Sequence, residues 1–431
     1  MSELEDRLSS VLADAADRAP RASAGLAATV ETRHRRRRAR TTALLAAAAV
    51  VVVIGGAGVA VNAVRTSAAP QPAVGATDKA TGRATPPVDV IPPPIEKVWP
   101  QAVHKIPAKL PDGRDYYPQL LLDDHTLLVM TVVMDGSRQF LWRYDLESGQ
   151  PTRITEIPPP GGLKIGADGV AAGGGNIVWW TLSKEKGKDL VARIWTVPVR
   201  GGTPRLVTDL RHEEDAKRGP LQGLTVVGQD VVFSYAKGGV YRVPLSGGQP
   251  QPVKGAERQH ILQWPWVGTH QGKNVFAKLF NAETGERRDA VVKADEEVSC
   301  GVNRCTGTKM RYKNVKCATG PCPGKTVRRL VPVGSFIRDR DGSGEKPLPD
   351  NVVVPGVNLE RFFMKHIFAP NRKTAVALYD VDTGKMADLG IRPDAKGRSS
   401  IPFNTPLNRL DGLMTYKIGD RMYVLNLATI K

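Results

Sequence analysis

Short apolar runs separated by glycine and Asx turns fill the chain from about residue 100 to Lys431, and within the runs apolar side chains recur at every second position. That period predicts strands whose successive side chains face opposite sides of a sheet. One hairpin repeats. LWRYDLESGQPTRIT, from Leu141 to Thr155, returns as IWTVPVRGGTPRLVT from Ile194 and as VYRVPLSGGQPQPV from Val240. Aligned on Gly149, Gly202 and Gly248, the copies superpose Trp142, Trp195 and Tyr241, then Tyr144, Val197 and Val243, then Leu146, Val199 and Leu245. Pro151, Pro204 and Pro250 also coincide. Fainter copies turn at Gly285 (LFNAETGERRDAV), Gly344 (FIRDRDGSGEKPLP) and Gly384 (LYDVDTGKMADLG), and MYVLNLATIK is the last. Asp145, Asn281, Asp380 and Asn426 share the position before the turn, where an Asx side chain can accept nearby backbone N–H groups.

The turn glycines lie 53, 46, 37, 59 and 40 residues apart. A period near 40–50 with strands flanking each turn predicts propeller blades, four-stranded sheets that cannot bury both faces alone and therefore stack radially. Seven copies predict an all-β, seven-bladed propeller; six or eight blades and a pair of β-sandwiches are the alternatives. NIVWWTL, DVVFSYA and GLMTYKIG read as strands preceding the hairpins. The last copy has no strand after it, so AVHKIPAKL, Ala102 to Leu110, is expected to add there and remove an open sheet edge.

Towards the N-terminus the pattern changes. Residues 41–64 contain no charged side chain. As a helix they would span roughly 36 Å, against about 30 Å of hydrocarbon. Arg33, Arg35, Arg36, Arg37, Arg38 and Arg40 precede the segment and only Arg65 follows closely, an asymmetry that predicts a cytosolic N-terminus. A cleaved signal peptide would have a shorter leader and a shorter apolar run. The reading is a single-pass signal anchor in the cell membrane. Residues 1–40 form a cytosolic stub in which Leu4, Leu8, Val11, Leu12 and Ala15 fall on one helical face, so residues 1–32 either dock on a cytosolic protein or fray. Residues 65–97 read as a Pro/Ala-rich spacer and 98–431 as the extracytoplasmic propeller.

Arginine run, apolar anchor, proline-rich spacer and YDLxSG-type hairpins together resemble actinobacterial membrane-anchored β-propellers of the TolB-like/WD40-like kind. The stub more loosely resembles the cytosolic segments of membrane-bound anti-sigma-type regulators. The WD dipeptide of true WD40 repeats is absent, and the resemblance implies a fold without carrying over any catalytic residue.

Composition sharpens this picture in two ways. The 431 residues carry 61 Lys and Arg against 43 Asp and Glu, a net +18, with 43 Gly and 33 Pro. The glycine and proline content excludes a coiled coil, and the apolar content excludes a wholly disordered chain. The basic excess favours anionic surroundings, yet outside the arginine run no basic stripe with interleaved aromatics marks a nucleic-acid interface. All four cysteines, Cys300, Cys305, Cys317 and Cys322, lie in one insertion with C-x4-C spacing. Outside the cytosol they read as two disulfides, Cys300–Cys305 and Cys317–Cys322 being the favoured pairing, with a four-thiolate zinc site as the alternative.

Asp339 to Asp350 formally matches a calcium loop, but Pro347 and Pro349 obstruct a following helix and the repeat demands a strand there. Neither H-E-x-x-H nor G-x-S-x-G occurs. Trp179, Trp180, Trp264 and Trp266 are expected to pack blades, and Glu213, Glu214 and Asp215 to form a solvated loop. No catalytic, cofactor or metal residue is expected. The functional expectation is a non-enzymatic membrane protein whose propeller binds a protein or envelope polymer. A transmembrane regulator and an envelope polysaccharide hydrolase or lyase are the alternatives.

Overall fold

The computed structural model describes residues 90–431 except 132–137, 160–167, 185–189, 213–220, 271, 317–325, 369–373 and 394–410. The stub, the arginine run with Arg35, Arg36, Arg37, Arg38 and Arg40, the apolar segment 41–64, Cys317, Cys322 and the acidic run Glu213 to Asp215 lie outside the described residues. Among the described residues no helix is long and apolar enough to cross a membrane. The chain divides into two units, 1–54 with 315–327 and 55–314 with 328–431. Only residues 315, 316, 326 and 327 of the first are described, and the account below concerns the second.

The second unit is a seven-bladed β-propeller. Blade 1 runs β2 (Tyr116–Leu121), β3 (Thr126–Thr131), β4 (Phe140–Asp145) and β5 (Pro151–Glu156) from its first to its fourth strand. Blade 2 is β6 (Asp168–Gly173), β7 (Asn176–Lys184), β8 (Leu190–Pro198) and β9 (Arg205–His212). Blade 3 is β10 (Leu221–Val227), β11 (Asp230–Tyr235), β12 (Val240–Pro244) and β13 (Gln251–Pro252). Blade 4 is β14 (His260–Gln263), β15 (Trp266–Gly268), β17 (Lys278–Asn281) and β18 (Arg287–Asp289). Blade 5 has five strands: β16 (Asn274–Val275), β19 (Glu296–Cys300), β20 (Arg304–Lys316), β21 (Thr326–Asp339) and β22 (Lys346–Pro347). Blade 6 is β23 (Val352–Asn358), β24 (Phe362–Phe368), β25 (Thr374–Asp380) and β26 (Met386–Asp388). Blade 7 joins β27 (Leu413–Ile418) and β28 (Arg421–Asn426) to β1 (Val103–Pro107).

Strand alternation builds the core. In β7, Ile177 and Trp179 enter the apolar cluster shared with blade 1, while Val178, Trp180 and Leu182 enter the cluster shared with blade 3. In β3, Leu127 and Val129 face blade 7, and Leu128 and Met130 face blade 2. A distinct cluster lies at each junction around the ring, including Val232 with Val267 between blades 3 and 4 and Ile337 with Phe363 between blades 5 and 6. Trp179 and Trp180 are buried in these layers and Trp264 packs against the cluster between blades 3 and 4, as their expected packing role requires, while Trp266 is buried beneath the Arg288 guanidinium.

The ring closes as the repeat demands. β1 pairs antiparallel with β28 from Val103 opposite Leu425 to Pro107 opposite Arg421, supplying the strand missing after the last copy. Ile106 packs with Tyr116, Tyr144 and Val424 across the blade 7 to blade 1 junction, and the Tyr116 hydroxyl donates to the Pro107 carbonyl. The short helix α1 (Ile95–Val98) adds Ile95 to the core between blades 6 and 7, so the end of the expected spacer is already packed.

The third-to-fourth-strand turns use two chemistries at one repeat position. Asp145 Oδ1 accepts the Glu147 and Ser148 N–H groups, Asn281 Oδ1 accepts those of Glu283 and Thr284, and Asp380 Oδ1 accepts that of Asp382. Each of these turns ends on a left-handed glycine, Gly149, Gly285 or Gly384. Blades 2 and 3 use paired glycines instead, ending on Gly202 and Gly248. The calcium-like stretch also forms such a turn, with Asp341 Oδ1 bonding Ser343 and Gly344 at positive φ.

Ile106 is 3% exposed and belongs to the closing strand. Ile106→Ala is expected to cost about 2–5 kcal/mol in denaturant unfolding. A loss below about 1 kcal/mol would show that β1 does not hold the ring.

Candidate functional site

The two ends of the sheets differ. Turns between first and second strands and between third and fourth strands have two to six residues, as from Gly174 to Gly175 and from Val199 to Pro204. At the other end, between second and third strands and between blades, successive strands are separated by four to 24 residues, as from Tyr235 to Val240 and from Asp388 to Leu413. Longer connections on a rigid scaffold carry recognition more often than tight turns do. All six glycines aligned in the repeat, Gly149, Gly202, Gly248, Gly285, Gly344 and Gly384, lie at the short-turn end.

Blade 4 breaks the regular pattern at the other end. β15 has three residues, after which the chain leaves the sheet and β16 pairs parallel with β19, Asn274 opposite Val298 and Val275 opposite Ser299. One connection of blade 4 thereby becomes the edge strand of blade 5. Phe276 turns the chain back through a left-handed conformation (φ 53°), and its N–H bonds the Thr269 carbonyl at 2.8 Å.

Buried Arg340 fastens this crossing. Its guanidinium donates to the carbonyls of Gly301 (2.7 Å), Phe276 (3.1 Å), Ala277 (2.7 Å) and Arg288 (2.6 Å). Burial pulls its pKa down to about 10, which leaves it charged at neutral pH. Beside it Arg338 and Glu296, each 1% exposed, pair at 2.6 Å, and Arg338 also reaches Glu345 at 3.0 Å. Burial works against the Glu296 carboxylate, but the bonds from Arg338 and the Lys293 N–H outweigh it and hold the group below its ordinary value.

Between blades 4 and 5 the crossing leaves a groove of about 380 Å³ lined by Thr269, Asn274, Ala277, Lys278, Asp289, Ala290 and Val292. Its walls offer a hydroxyl, an amide, an ammonium and a carboxylate beside small apolar surfaces. Asn274 Oδ1 is buried and accepts no hydrogen bond within the described structure. Such an atom costs about 1–3 kcal/mol. Towards blade 3 the same connection carries His270, whose Nδ1 meets the Gln222 amide and whose ring lies 5.7 Å from that of His260 and 5.2 Å from that of Phe276. His260 Nδ1 is likewise buried without a partner, and burial lowers the His260 pKa. Among the described residues no cluster of three His, Cys, Asp or Glu side chains is arranged to hold a metal ion.

Of the cysteines, Cys300 and Cys305 are directly opposed in β19 and β20 and joined by a disulfide with a Cα separation of 3.9 Å. The bond clamps the first turn of blade 5, and both cysteines pack in one apolar cluster with Ala277, Ala290 and Val292 of the groove wall. The Glu360 carboxylate sits over that turn and accepts the Asn303 N–H, in space open only because residue 301 is glycine: a Cβ there would meet Glu360 Oε1 at 1.7 Å. Burial raises the Glu360 pKa. These contacts staple blade 5 to blade 6.

Sequence inspection did not single out Asn274, His260, His270 or Arg340. The available signal was negative: THQGKNVFA, from Thr269 to Ala277, breaks the alternation where a regular blade would continue it.

No family model and no curated protein match the sequence. Similar solved structures include an acylaminoacyl peptidase in complex with Z-Gly-Gly-Phe-chloromethyl ketone, 10% identical with a TM-score of 0.41 over 71% of this chain and 49% of that one. The chain thus spans about half the length of that peptidase. The β-propeller domain of the Trilobed protease from Pyrococcus furiosus is 9% identical, with a TM-score of 0.28 over 72% of this chain and 83% of that one. YCF48 bound to D1 peptide is 11% identical, with a TM-score of 0.40 over 77% and 97%. Likeness at this level concerns fold alone and assigns no chemistry.

Arg340→Leu leaves four carbonyls without their donor and is expected to lower stability by more than about 3 kcal/mol; an unchanged unfolding midpoint would remove Arg340 as the fastener. A second expectation concerns pH. His260 is depressed by burial, so the unfolded chain takes up its proton as pH falls through about 6.5 while the folded chain resists. Stability therefore falls as pH drops below neutrality, and His260→Gln should make that decline shallower in denaturant titrations between pH 7 and 5. An identical slope in both proteins would contradict the assignment.

Proposed function

We propose that the chain is a non-enzymatic, single-pass membrane protein that presents its propeller outside the cytosol as a binding module. The observation that carries the binding reading is the groove between blades 4 and 5, at the end of blade 4 with the longer connections, lined by Asn274, Lys278 and Asp289. A groove of this size accommodates a short stretch of a larger partner rather than burying a whole one. Its ligand matches the Lys278 and Asp289 charges, as a peptide segment or a sugar-rich envelope polymer does. The membrane reading rests on the sequence: six arginines followed by residues 41–64 without a charge orient a spanning helix with its N-terminus in the cytosol.

A photo-crosslinker at Thr269 in the full chain, in native membranes, is expected to capture an envelope protein or polymer. The same group at Glu283, on the opposite end of blade 4, is expected to capture none. Equal capture at both positions, or capture from Glu283 alone, would overturn the reading.

A further inference from the structure

The strands β20 and β21 have 13 and 14 residues, more than twice the length of most others, and they outrun their blade. Near the blade they are anchored: Met310, Phe336 and Ile337 are buried, and Lys309 and Arg338 bond Glu345. Farther out, residues 311–314 and 328–330 are exposed on both faces. Tyr312 is 59% exposed, and Leu330 and Val333 are each 41% exposed. Among the described residues no layer covers these side chains, and a two-stranded ribbon gains nothing in the fold from holding them in water.

The charge of the ribbon is one-sided. From Val298 to Arg338 the sequence contains nine Lys and Arg and no Asp or Glu. Arg328 lies over the Tyr312 ring, 4.7 Å from its centroid, so Tyr312, Arg328 and, by alternation, Leu330 share one face. Arg311 and Lys313 alternate onto the face away from Tyr312, and Arg329 and Val333 onto the face away from Arg328. Arg311 and Lys313 form no salt bridge with any described carboxylate, unlike Lys309 and Arg338 nearer the blade.

We propose that this ribbon of blade 5, Arg311 to Asn314 with Arg328 to Val333, is a docking element for the headgroup region of an anionic lipid bilayer. Each face offers cations for lipid phosphates together with an apolar side chain for the acyl boundary, and a tyrosine suits the interface between them. A polyanion in water would engage the cations and leave Leu330 and Val333 solvated; the lipid surface uses both. The proposal extends the membrane reading above and rests on it for its setting.

The test uses the full chain with an environment-sensitive fluorophore on Leu330→Cys, and on Val333→Cys as a second position, reconstituted in vesicles of phosphatidylcholine alone or mixed with phosphatidylglycerol. Emission is expected to shift towards that of an apolar medium only with the anionic lipid, and to revert at high salt. Arg311→Gln with Lys313→Gln is expected to lower the ratio of inserted to free probe roughly 25-fold, about fivefold per cation. Water-like emission in both vesicle types at low salt would overturn the proposal, as would a response to added duplex DNA in place of lipid. The anchor is read separately, by flotation of the unlabelled chain. If the chain fails to float with neutral vesicles at high salt, the apolar anchor is wrong. Salt-sensitive flotation with anionic vesicles, lost in the double glutamine variant, would still support the ribbon.

Discussion

A sheet that is apolar on both faces has to be covered twice, and everything else in this propeller depends on that requirement. Trp179 and Trp180 are adjacent in β7 and both are buried, one against blade 1 and the other against blade 3. No single pair of sheets can satisfy such a strand, whereas a closed ring satisfies every one. Closure then rests on β1, because without it β28 would present an unpaired edge and Ile106 would no longer fill the junction to Tyr116 and Val424.

The ring is regular where turns are short and departs from regularity where they are not. At the short-turn end, Asx side chains and left-handed glycines satisfy the backbone within each hairpin, so little is left to bond anything else. At the other end blade 4 gives up its second strand after three residues, and the departing chain is completed by β19 and by the guanidinium of Arg340. The groove and the unpartnered Asn274 Oδ1 follow from that incomplete substitution: β16 pairs only Asn274 and Val275, and the side-chain amide of Asn274 finds no donor for its oxygen. Blade 5 carries both departures, the borrowed edge strand and the long basic ribbon, and it also holds the densest set of restraints. Its disulfide, the Glu360 carboxylate over Gly301 and the Arg338–Glu296 pair hold its base rigid while the ribbon projects.

The repeat was legible because a hairpin is local. Trp142, Tyr144 and Leu146 alternate within a few residues, Asp145 and Gly149 sit within the turn they form, and the absence of a strand after Asn426 pointed to AVHKIPAKL as its replacement. The site was not legible, because its members come from distant positions and from types with other common uses. Asn274, His260 and Arg340 are ordinary surface residues in most chains. Nothing in their neighbours reveals that one is left without a donor, one is desolvated beside a second histidine, and one holds four carbonyls.

By itself, then, the sequence determined the strand period, the turn chemistry, the number of blades and the strand that closes them, since each depends on contacts between residues near in the chain or on one missing partner. Tertiary structure alone decided which connection abandons its blade, which polar atoms are left unpaired, and which apolar side chains of blade 5 stay in water. Those outcomes depend on how neighbouring blades fill or fail to fill the space between them, and alternation along a strand carries no record of that.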